Sequence, residues 1–141
     1  MPGLIDRQQW KAAIEDEAER QERYGRPCAV ILAELDGMDG RGGPGAANWL
    51  MPPFAGLLVS LTRASDRITR LTNARLGILL LETDPGGAAR FVSRTTVATE
   101  SWLAANPWRA RLVVGWAGAT SAEELRHAVR TAETHLSTRR T

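Results

Sequence analysis

The segment that most constrains the fold is CAVILAEL, residues 28–35, an apolar run interrupted only by Glu34. A strand with one face in water would alternate apolar and polar residues, whereas this run offers apolar side chains to both faces. Its length suits a strand and is short for a buried helix. We therefore predict a central β-strand, which requires neighbouring strands and a covering layer of helices.

Capping boxes predict the first and the last helix. Asp6 with Gln9 precedes apolar residues at helical spacing in QQWKAAIEDEAERQERYG, and Ser121 with Glu124 precedes AEELRHAVRTAETHLSTRR. In such a box the two side chains satisfy backbone N–H groups that a helix start leaves without partners. Trp10 lies at helical spacing within the first segment, which favours a place in the core over a functional role.

Two further helices are predicted in the middle of the chain. The first covers about residues 48–62, with Pro52 and Pro53 in its first turn, where a missing N–H costs little. The second begins near Pro85. Before the first of them, the glycines of DGMDGRGGPGAAN predict a loop.

A β-hairpin is predicted where DRITRL and LGILLLE flank the segment TNAR, with Asn73 as a residue able to adopt a left-handed conformation. RARLVVGWAG predicts a later strand. The order helix, strand, helix, hairpin, helix, strand, helix predicts an α+β fold with a mixed, mostly antiparallel central sheet flanked by helices. The length of 141 residues fits a single domain covering residues 1–141.

Composition excludes several classes of protein. A formal net charge of +2 is too small to indicate a nucleic-acid partner, and no window is apolar enough for membrane insertion or a signal peptide. Cys28 is the single cysteine, so no intrachain disulfide is possible. His127 and His135 lack partners at zinc-ligand spacing, so we expect no metal site and no cofactor. A cytoplasmic location follows as the expectation.

From about residue 4 to residue 136 the chain resembles the GGDEF diguanylate cyclase domains, which are named for a Gly-Gly-Asp-Glu-Phe hairpin. LIDRQQWKAAIEDEAERQERYGRPCAVILAELDGMD is similar to the family's opening helix and first strand. SDRITRL and LGILLLETD are similar to the strands that enter and leave the signature hairpin, and RLVVGWAG to a later VSIGVA strand. The resemblance implies a GGDEF-like, nucleotidyl-cyclase-like fold.

The resemblance also implies that catalytic residues are missing. In the family the hairpin holds two glycines near the nucleotide and an acidic pair for metal and catalysis, whereas residues 72–76 here are TNARL, with Arg75 among them. Joining two GTP molecules requires divalent metal ions at the phosphates, and Mg²⁺ needs oxygen ligands. Glu34 and Asp36 match the two aspartates of the family's DLD motif, so one side of a metal site is partly kept.

Guanine and phosphate contacts are altered as well. By resemblance, Gly42 stands where the family has a guanine-contacting asparagine, and Asn48 stands where it has an aspartate. The last helix lacks the family's phosphate-contacting lysine. The sequence therefore predicts that the domain is not an enzyme and has no catalytic residues, although residual turnover through Glu34 and Asp36 is an alternative.

An inhibitory-type Arg-x-x-Asp site is kept in the segment RASD. Many family members bind their product, cyclic di-GMP, with this motif, and Arg63 and Asp66 match it. The resemblance adds Arg94 from the following helix, and helical spacing places Arg90, one turn earlier, on the same face. The resemblance also implies that Arg20 or Arg23 of the first helix reaches a ligand bound to the neighbouring subunit, as in family dimers. Arginine suits the O6 and N7 acceptors of guanine, and a carboxylate suits its N–H groups. An ordinary surface ion pair between Arg63 and Asp66 is the alternative.

Three functions remain open from the sequence. The first is an inactive GGDEF-like domain that acts as a cyclic di-GMP receptor, as a homodimer or with a partner protein of a signalling or secretion system. The second is a ligand-free interaction or dimerisation module of the same fold, for which an apolar patch around Trp49 and MPPF would matter. The third is a residual cyclase.

Overall fold

The apolar run at residues 28–35 forms the middle of the sheet, as predicted. The computed structural model describes residues 3–37, 46–105 and 110–140. Within them the elements are α1 (Arg7–Tyr24), β1 (Cys28–Asp36), α2 (Ala46–Leu61), β2 (Arg67–Arg70), β3 (Arg75–Leu80), α3 (Pro85–Ala104), β4 (Arg111–Ala119) and α4 (Ala122–Arg140).

The four strands lie in the order β2-β3-β1-β4, and each neighbouring pair is antiparallel. A single bridge between Ile5 and Thr69 is parallel. The predicted α+β class with a mostly antiparallel sheet is therefore confirmed. No described helix has the length and apolar character that crossing a membrane requires.

Helices cover both faces of the sheet, and β1 contributes alternate residues to each side. One face packs against α2 and α3 through Ala29, Ile31, Ala33 and Leu35. The opposite face packs against α1 and α4 through Cys28, Val30 and Leu32. Burial on both sides explains why the strand shows no polar alternation, and each fully buried Leu or Ile contributes about 1.5–3 kcal/mol.

Capping residues begin three of the described helices. At α1, Asp6 Oδ1 accepts the N–H of Gln9 at 2.8 Å and Gln9 Oε1 accepts the N–H of Asp6 at 2.9 Å, so the predicted capping box is confirmed. At α4, Ser121 Oγ accepts the N–H of Glu124 at 3.1 Å. Asp84 caps α3, which begins at Pro85 as predicted.

The prediction for α2 was wrong about its prolines. The helix begins at Ala46, so Pro52 and Pro53 lie inside it and not in its first turn. Each proline removes a helical hydrogen bond, at a cost of roughly 3 kcal/mol. Both rings are exposed, while the opposite face buries large side chains that hold the helix against the sheet. Those side chains are Leu50, Met51, Phe54 and Leu58.

The hairpin of β2 and β3 is confirmed, but the expected left-handed Asn73 is wrong. Among the described residues, Glu82 is the single non-glycine with a positive φ, at 46°. The turn closes differently: Leu71 N–H donates to Arg75 O at 2.9 Å, and the Thr72 hydroxyl accepts the N–H of Ala74 at 3.2 Å. The Thr72 hydroxyl therefore stabilises the turn through a backbone N–H, and the turn forms without a left-handed residue.

Gly115 on β4 lets α4 approach the sheet very closely. A Cβ at this position would lie 2.2 Å from the carbonyl oxygen of Ala132 and 2.4 Å from the backbone nitrogen of Leu136. Both contacts are with backbone atoms, which cannot swing aside as a side chain would. The distance between α4 and β4 therefore depends on the absence of a side chain at residue 115.

Side chains of α4 also cover part of the sheet edge. β4 is the last strand on its side of the sheet. The Trp116 carbonyl is 2.9 Å from His135 Nδ1, and the Val114 carbonyl accepts Arg139 Nη1 at 3.2 Å. These two carbonyls of the edge strand are therefore occupied from within the domain.

The glycine-rich loop lies largely outside the described residues, which resume at residue 46. Gly42, predicted to replace a family guanine contact, is among the residues not described. Asn48 lies in α2, but its side chain is not described. These two predictions stay predictions.

Candidate functional site

The RASD segment forms a tight turn between α2 and β2 that is held by Asp66. Asp66 Oδ2 accepts the backbone N–H of Arg63 at 2.9 Å, and Arg63 O accepts the N–H of Asp66 at 3.0 Å. Asp66 Oδ1 accepts the N–H of Leu81 at 3.1 Å, which ties the turn to the end of β3. The Asp66 side chain is only 2% exposed. Both carboxylate oxygens thus accept hydrogen bonds from backbone N–H groups.

Arg63 extends from this turn to the residues that follow β3. Its Nη2 donates to the carbonyl of Leu81 and to Thr83 Oγ1, the latter at 2.8 Å. Its Nε lies 3.6 Å from Asp66 Oδ2, a distance for an ion pair without a good hydrogen bond. The Arg63 side chain remains 58% exposed. The guanidinium is therefore oriented by its neighbours and still open to a ligand.

The first half of α3 supplies two more arginines. Asp84 Oδ1 accepts the N–H of Gly87 at 2.7 Å, which fixes the first turn of the helix. Arg90 and Arg94 follow on one face, one turn apart, and both are exposed. The Arg94 guanidinium carbon lies 5.8 Å from the centre of the Phe91 ring, within range of a cation–π contact.

These residues line one pocket of about 340 Å³, which we call the Arg63 pocket. It brings together four of the five residues predicted from the sequence: Arg63, Asp66, Arg90 and Arg94. The remaining lining residues are Leu61, Leu80, Glu82, Thr83, Asp84, Gly87 and Phe91. Arginines that share a pocket with apolar and aromatic side chains suit an anionic ligand with a planar ring.

Arg20, the fifth predicted residue, lies in a neighbouring pocket of about 490 Å³, which we call the α1 pocket. Arg63 and Glu82 line both pockets, so the two adjoin. Arg20 Nη1 is 3.9 Å from Glu17 Oε2. Burial raises the pKa of the Glu17 carboxyl, and Arg20 opposes that effect. The structure thus places Arg20 beside the Arg63 pocket and not within it.

The sequence analysis missed Glu82, Thr83, Tyr24 and Arg26. The Arg26 guanidinium pairs with Glu82 through Nη1 and lies 5.8 Å from the Tyr24 ring centre. Tyr24 and Arg26 belong to the segment RYGRP, in which no motif marks either residue as part of a site. Nothing in the sequence marks the left-handed backbone of Glu82, because glutamate is not a residue that favours it.

The hairpin places Arg75 at the position where the resemblance implies a family carboxylate. Arg75 and Glu34 are direct partners across β3 and β1, and Arg75 Nε donates to Glu34 Oε1 at 3.1 Å. The two side chains are 15% and 11% exposed. Arg75 Nη1 also lies 3.7 Å from Glu133 Oε2. Asp36 pairs with Arg111 at 3.2 Å.

These residues do not fit the divalent metal that the resemblance implies. Within the described ranges, no three His, Cys, Asp or Glu side chains are grouped in a way that could hold a metal ion. The carboxylates of Glu34 and Asp36, which by resemblance form one side of the metal site, are already paired with guanidinium groups. A guanidinium beside Glu34 opposes a second cation there, since like charges at such distances repel.

No protein-family model matches the chain, and no curated protein matches it. Solved structures match it closely in shape. The diguanylate cyclase SiaD of Pseudomonas aeruginosa, solved with its activator SiaC, has a TM-score of 0.85 at 17% identity, over 97% of this chain and 55% of that one. The FimX GGDEF domain of Pseudomonas aeruginosa has a TM-score of 0.77 at 18% identity, over 96% and 91%.

A third match is the GGDEF domain of DgcB from Caulobacter crescentus, solved in complex with cyclic di-GMP. Its TM-score is 0.83 at 12% identity, over 96% of this chain and 82% of that one. Identities this low establish architecture and leave activity open. The chain therefore has the fold of the GGDEF diguanylate cyclase domains.

Proposed function

We propose that this domain is catalytically inactive and binds cyclic di-GMP in the Arg63 pocket. The observation that carries the proposal is the convergence of Arg63, Arg90 and Arg94 on one pocket from two separate elements. Cyclic di-GMP has two phosphates and two guanines, and arginine is the side chain that suits both groups. A structural neighbour, the DgcB domain, was solved with this nucleotide.

The Arg75–Glu34 pair supports the proposal that the domain is catalytically inactive. Synthesis from GTP needs metal ions that neutralise the phosphates, and the residues that would hold them are ion-paired with arginine here. Residual cyclase activity would need Glu34 and Asp36 to exchange these partners for a metal without any carboxylate from the hairpin.

Asp66 has a positioning role in this proposal. Its carboxylate fixes the turn that carries Arg63 and joins that turn to Leu81. The arginine side chains make the ligand contacts, while Asp66 determines the position of Arg63. Arg20, in the adjoining α1 pocket, contributes from the side of the first helix.

Isothermal titration with cyclic di-GMP tests the proposal. We expect binding at micromolar concentration or tighter, reduced at least about tenfold in Arg94→Ala, because the loss of one charged contact costs roughly 1.5–3 kcal/mol. Arg63→Ala is expected to show the same loss. Arg130→Ala is the matched control, an exposed arginine on α4, on the opposite face of the sheet. Wild-type protein that gives no heat and no thermal shift overturns the proposal.

A second candidate function is an interaction or dimerisation module. The observation that favours it is the exposure of large apolar side chains on α2 and α3, namely Trp49 at 75% and Val97 at 67%. Pro52 and Pro53, one turn from Trp49, are exposed as well. Sedimentation of wild type and Trp49→Ser tests this candidate: self-association that the substitution removes supports it.

A further inference from the structure

Glu82 has an unusual backbone at the boundary between the two pockets. It follows β3 and is the one described non-glycine residue with a positive φ, 46°. Left-handed backbone is disfavoured for such a residue, and positions of this kind concentrate at ligand clamps and active sites. Its side chain is 60% exposed and lines both the Arg63 pocket and the α1 pocket.

Three carboxylates line the Arg63 pocket, and two of them are committed to backbone groups. Asp66 accepts the N–H groups of Arg63 and Leu81, and its side chain is buried. Asp84 accepts the N–H of Gly87 as the cap of α3. The partner of Glu82 is a side chain, Arg26, which is 63% exposed. An exposed ion pair of this kind contributes little to folding and exchanges easily.

Arg63 and Glu82 are held together by the chain itself. Arg63 Nη2 donates to Leu81 O and to Thr83 Oγ1, the residues directly before and after Glu82. The guanidinium therefore lies along the turn that carries Glu82. A donor side chain and an acceptor side chain, joined through one turn, thus line the same pocket.

We propose that Glu82 is the carboxylate that reads the guanine base at this site, a step that rests on the proposed function. Guanine carries acceptors at O6 and N7 and donors at N1 and the 2-amino group. An arginine donates to O6 and N7, and a carboxylate with two oxygens accepts from N1 and the 2-amino group. Glu82 exchanges Arg26 for the base, whereas Asp66 keeps its backbone partners.

Cyclic di-IMP is the ligand that isolates this contact, because inosine lacks the 2-amino group of guanine. We expect wild-type protein to prefer cyclic di-GMP over cyclic di-IMP by roughly tenfold or more. In Glu82→Gln the side-chain amide presents a donor to the 2-amino group, so the preference is expected to fall below about threefold. The substitution keeps the size of the side chain, and a melting curve without ligand checks the fold.

Arg26→Ala is the matched control, since it breaks the same ion pair and leaves the Glu82 carboxylate in place. It is expected to keep the full preference for guanine and to bind cyclic di-GMP at least as tightly as wild type. An unchanged preference in Glu82→Gln overturns the role of Glu82 while the receptor function stands. Equal losses in both variants assign the effect to the ion pair and also overturn it. Absence of wild-type binding removes both proposals.

Discussion

Arg75 on β3 stands directly opposite Glu34 on β1, and their side chains form an ion pair with a distance of 3.1 Å between Nε and Oε1. Directly opposed residues on adjacent strands have side chains close enough to interact. Arg75 occupies the position in the hairpin where the resemblance implies an acidic catalytic residue. The pair thus joins the hairpin to β1 through side chains.

Removing Arg75 is expected to destabilise the domain. Arg75→Met leaves the Glu34 carboxylate, 11% exposed, without this partner. We expect a loss of roughly 2–4 kcal/mol in the free energy of unfolding, slightly below the cost for a fully buried pair. Urea denaturation measures it. The double variant Glu34→Leu with Arg75→Met should recover most of the loss, because apolar pairs replace buried ion pairs well. A double variant less stable than the single one would contradict this account.

Restoring the signature hairpin alone is expected to give no cyclase. When residues 72–76 are replaced by Gly-Gly-Asp-Glu-Phe, Asp36 still pairs with Arg111. The last helix still lacks the phosphate-contacting lysine that the resemblance implies. Incubation with GTP and Mg²⁺ or Mn²⁺, followed by chromatography for cyclic di-GMP, should therefore show no product above wild type. An active diguanylate cyclase run in parallel is the control, and measurable turnover would refute the inactive assignment.

Asp66→Asn is expected to lower stability by about 2–3 kcal/mol. The Arg63 and Leu81 N–H groups bind different carboxylate oxygens, and asparagine replaces one of these oxygens by an NH2 donor, so one of the two hydrogen bonds is lost. Hydrogen bonds to charged groups are worth roughly 1.5–3 kcal/mol. Asp36→Asn is the matched control, since Asp36 is 39% exposed and pairs with an exposed arginine. Its loss should stay below about 1 kcal/mol. Equal denaturation midpoints for the two variants would show that Asp66 does not hold the turn.

Gly115→Ala is expected to be destabilising by about 1–3 kcal/mol or more. The new Cβ would lie 2.2 Å from Ala132 O, so α4 has to move away from β4. Gly56→Ala is the control, because a Cβ there meets nothing within 4 Å and alanine favours a helix. Thermal melting should therefore shift down for Gly115→Ala and up, or remain equal, for Gly56→Ala. A downward shift in both would point to a different cause.

Glu17→Gln is expected to stabilise the domain at pH 7 and to have little effect at pH 4. Burial raises the pKa of Glu17 above its usual 4.5, so the folded state holds this proton more tightly than the unfolded state. The stability from this group is fully present below pH 4.5 and is lost as the pH rises through the raised pKa. Melting temperatures of both proteins from pH 4 to pH 7 measure the difference. A variant less stable at pH 7 would mean that the Arg20 contact outweighs burial.

The elements of the fold were predictable because their signals are local. CAVILAEL identifies a doubly buried strand by its composition, and Asp6 with Gln9 identifies a helix start by spacing alone. The position of Pro52 and Pro53 was not predictable in the same way. Their cost is overcome by the packing of Met51, Phe54 and other side chains against the sheet, which the local sequence does not reveal.

The candidate site was predictable only in part, for a similar reason. Arg63, Arg90 and Arg94 could be assigned by resemblance and helical spacing, and the structure brings them to one pocket. Glu82 could not, because its importance comes from a backbone conformation and from contacts that Arg63 makes on either side of it. The commitment of Asp66 to backbone N–H groups likewise depends on the distant Leu81.

The contacts of His135 and Arg139 with the Trp116 and Val114 carbonyls affect how this domain can assemble. An edge strand with open backbone groups is a template on which a second molecule can add a strand. Here two acceptors of β4 are occupied by the domain's own helix, so growth of a continuous intermolecular sheet at that edge would first have to displace α4 side chains. Association through helical surfaces carries no such requirement.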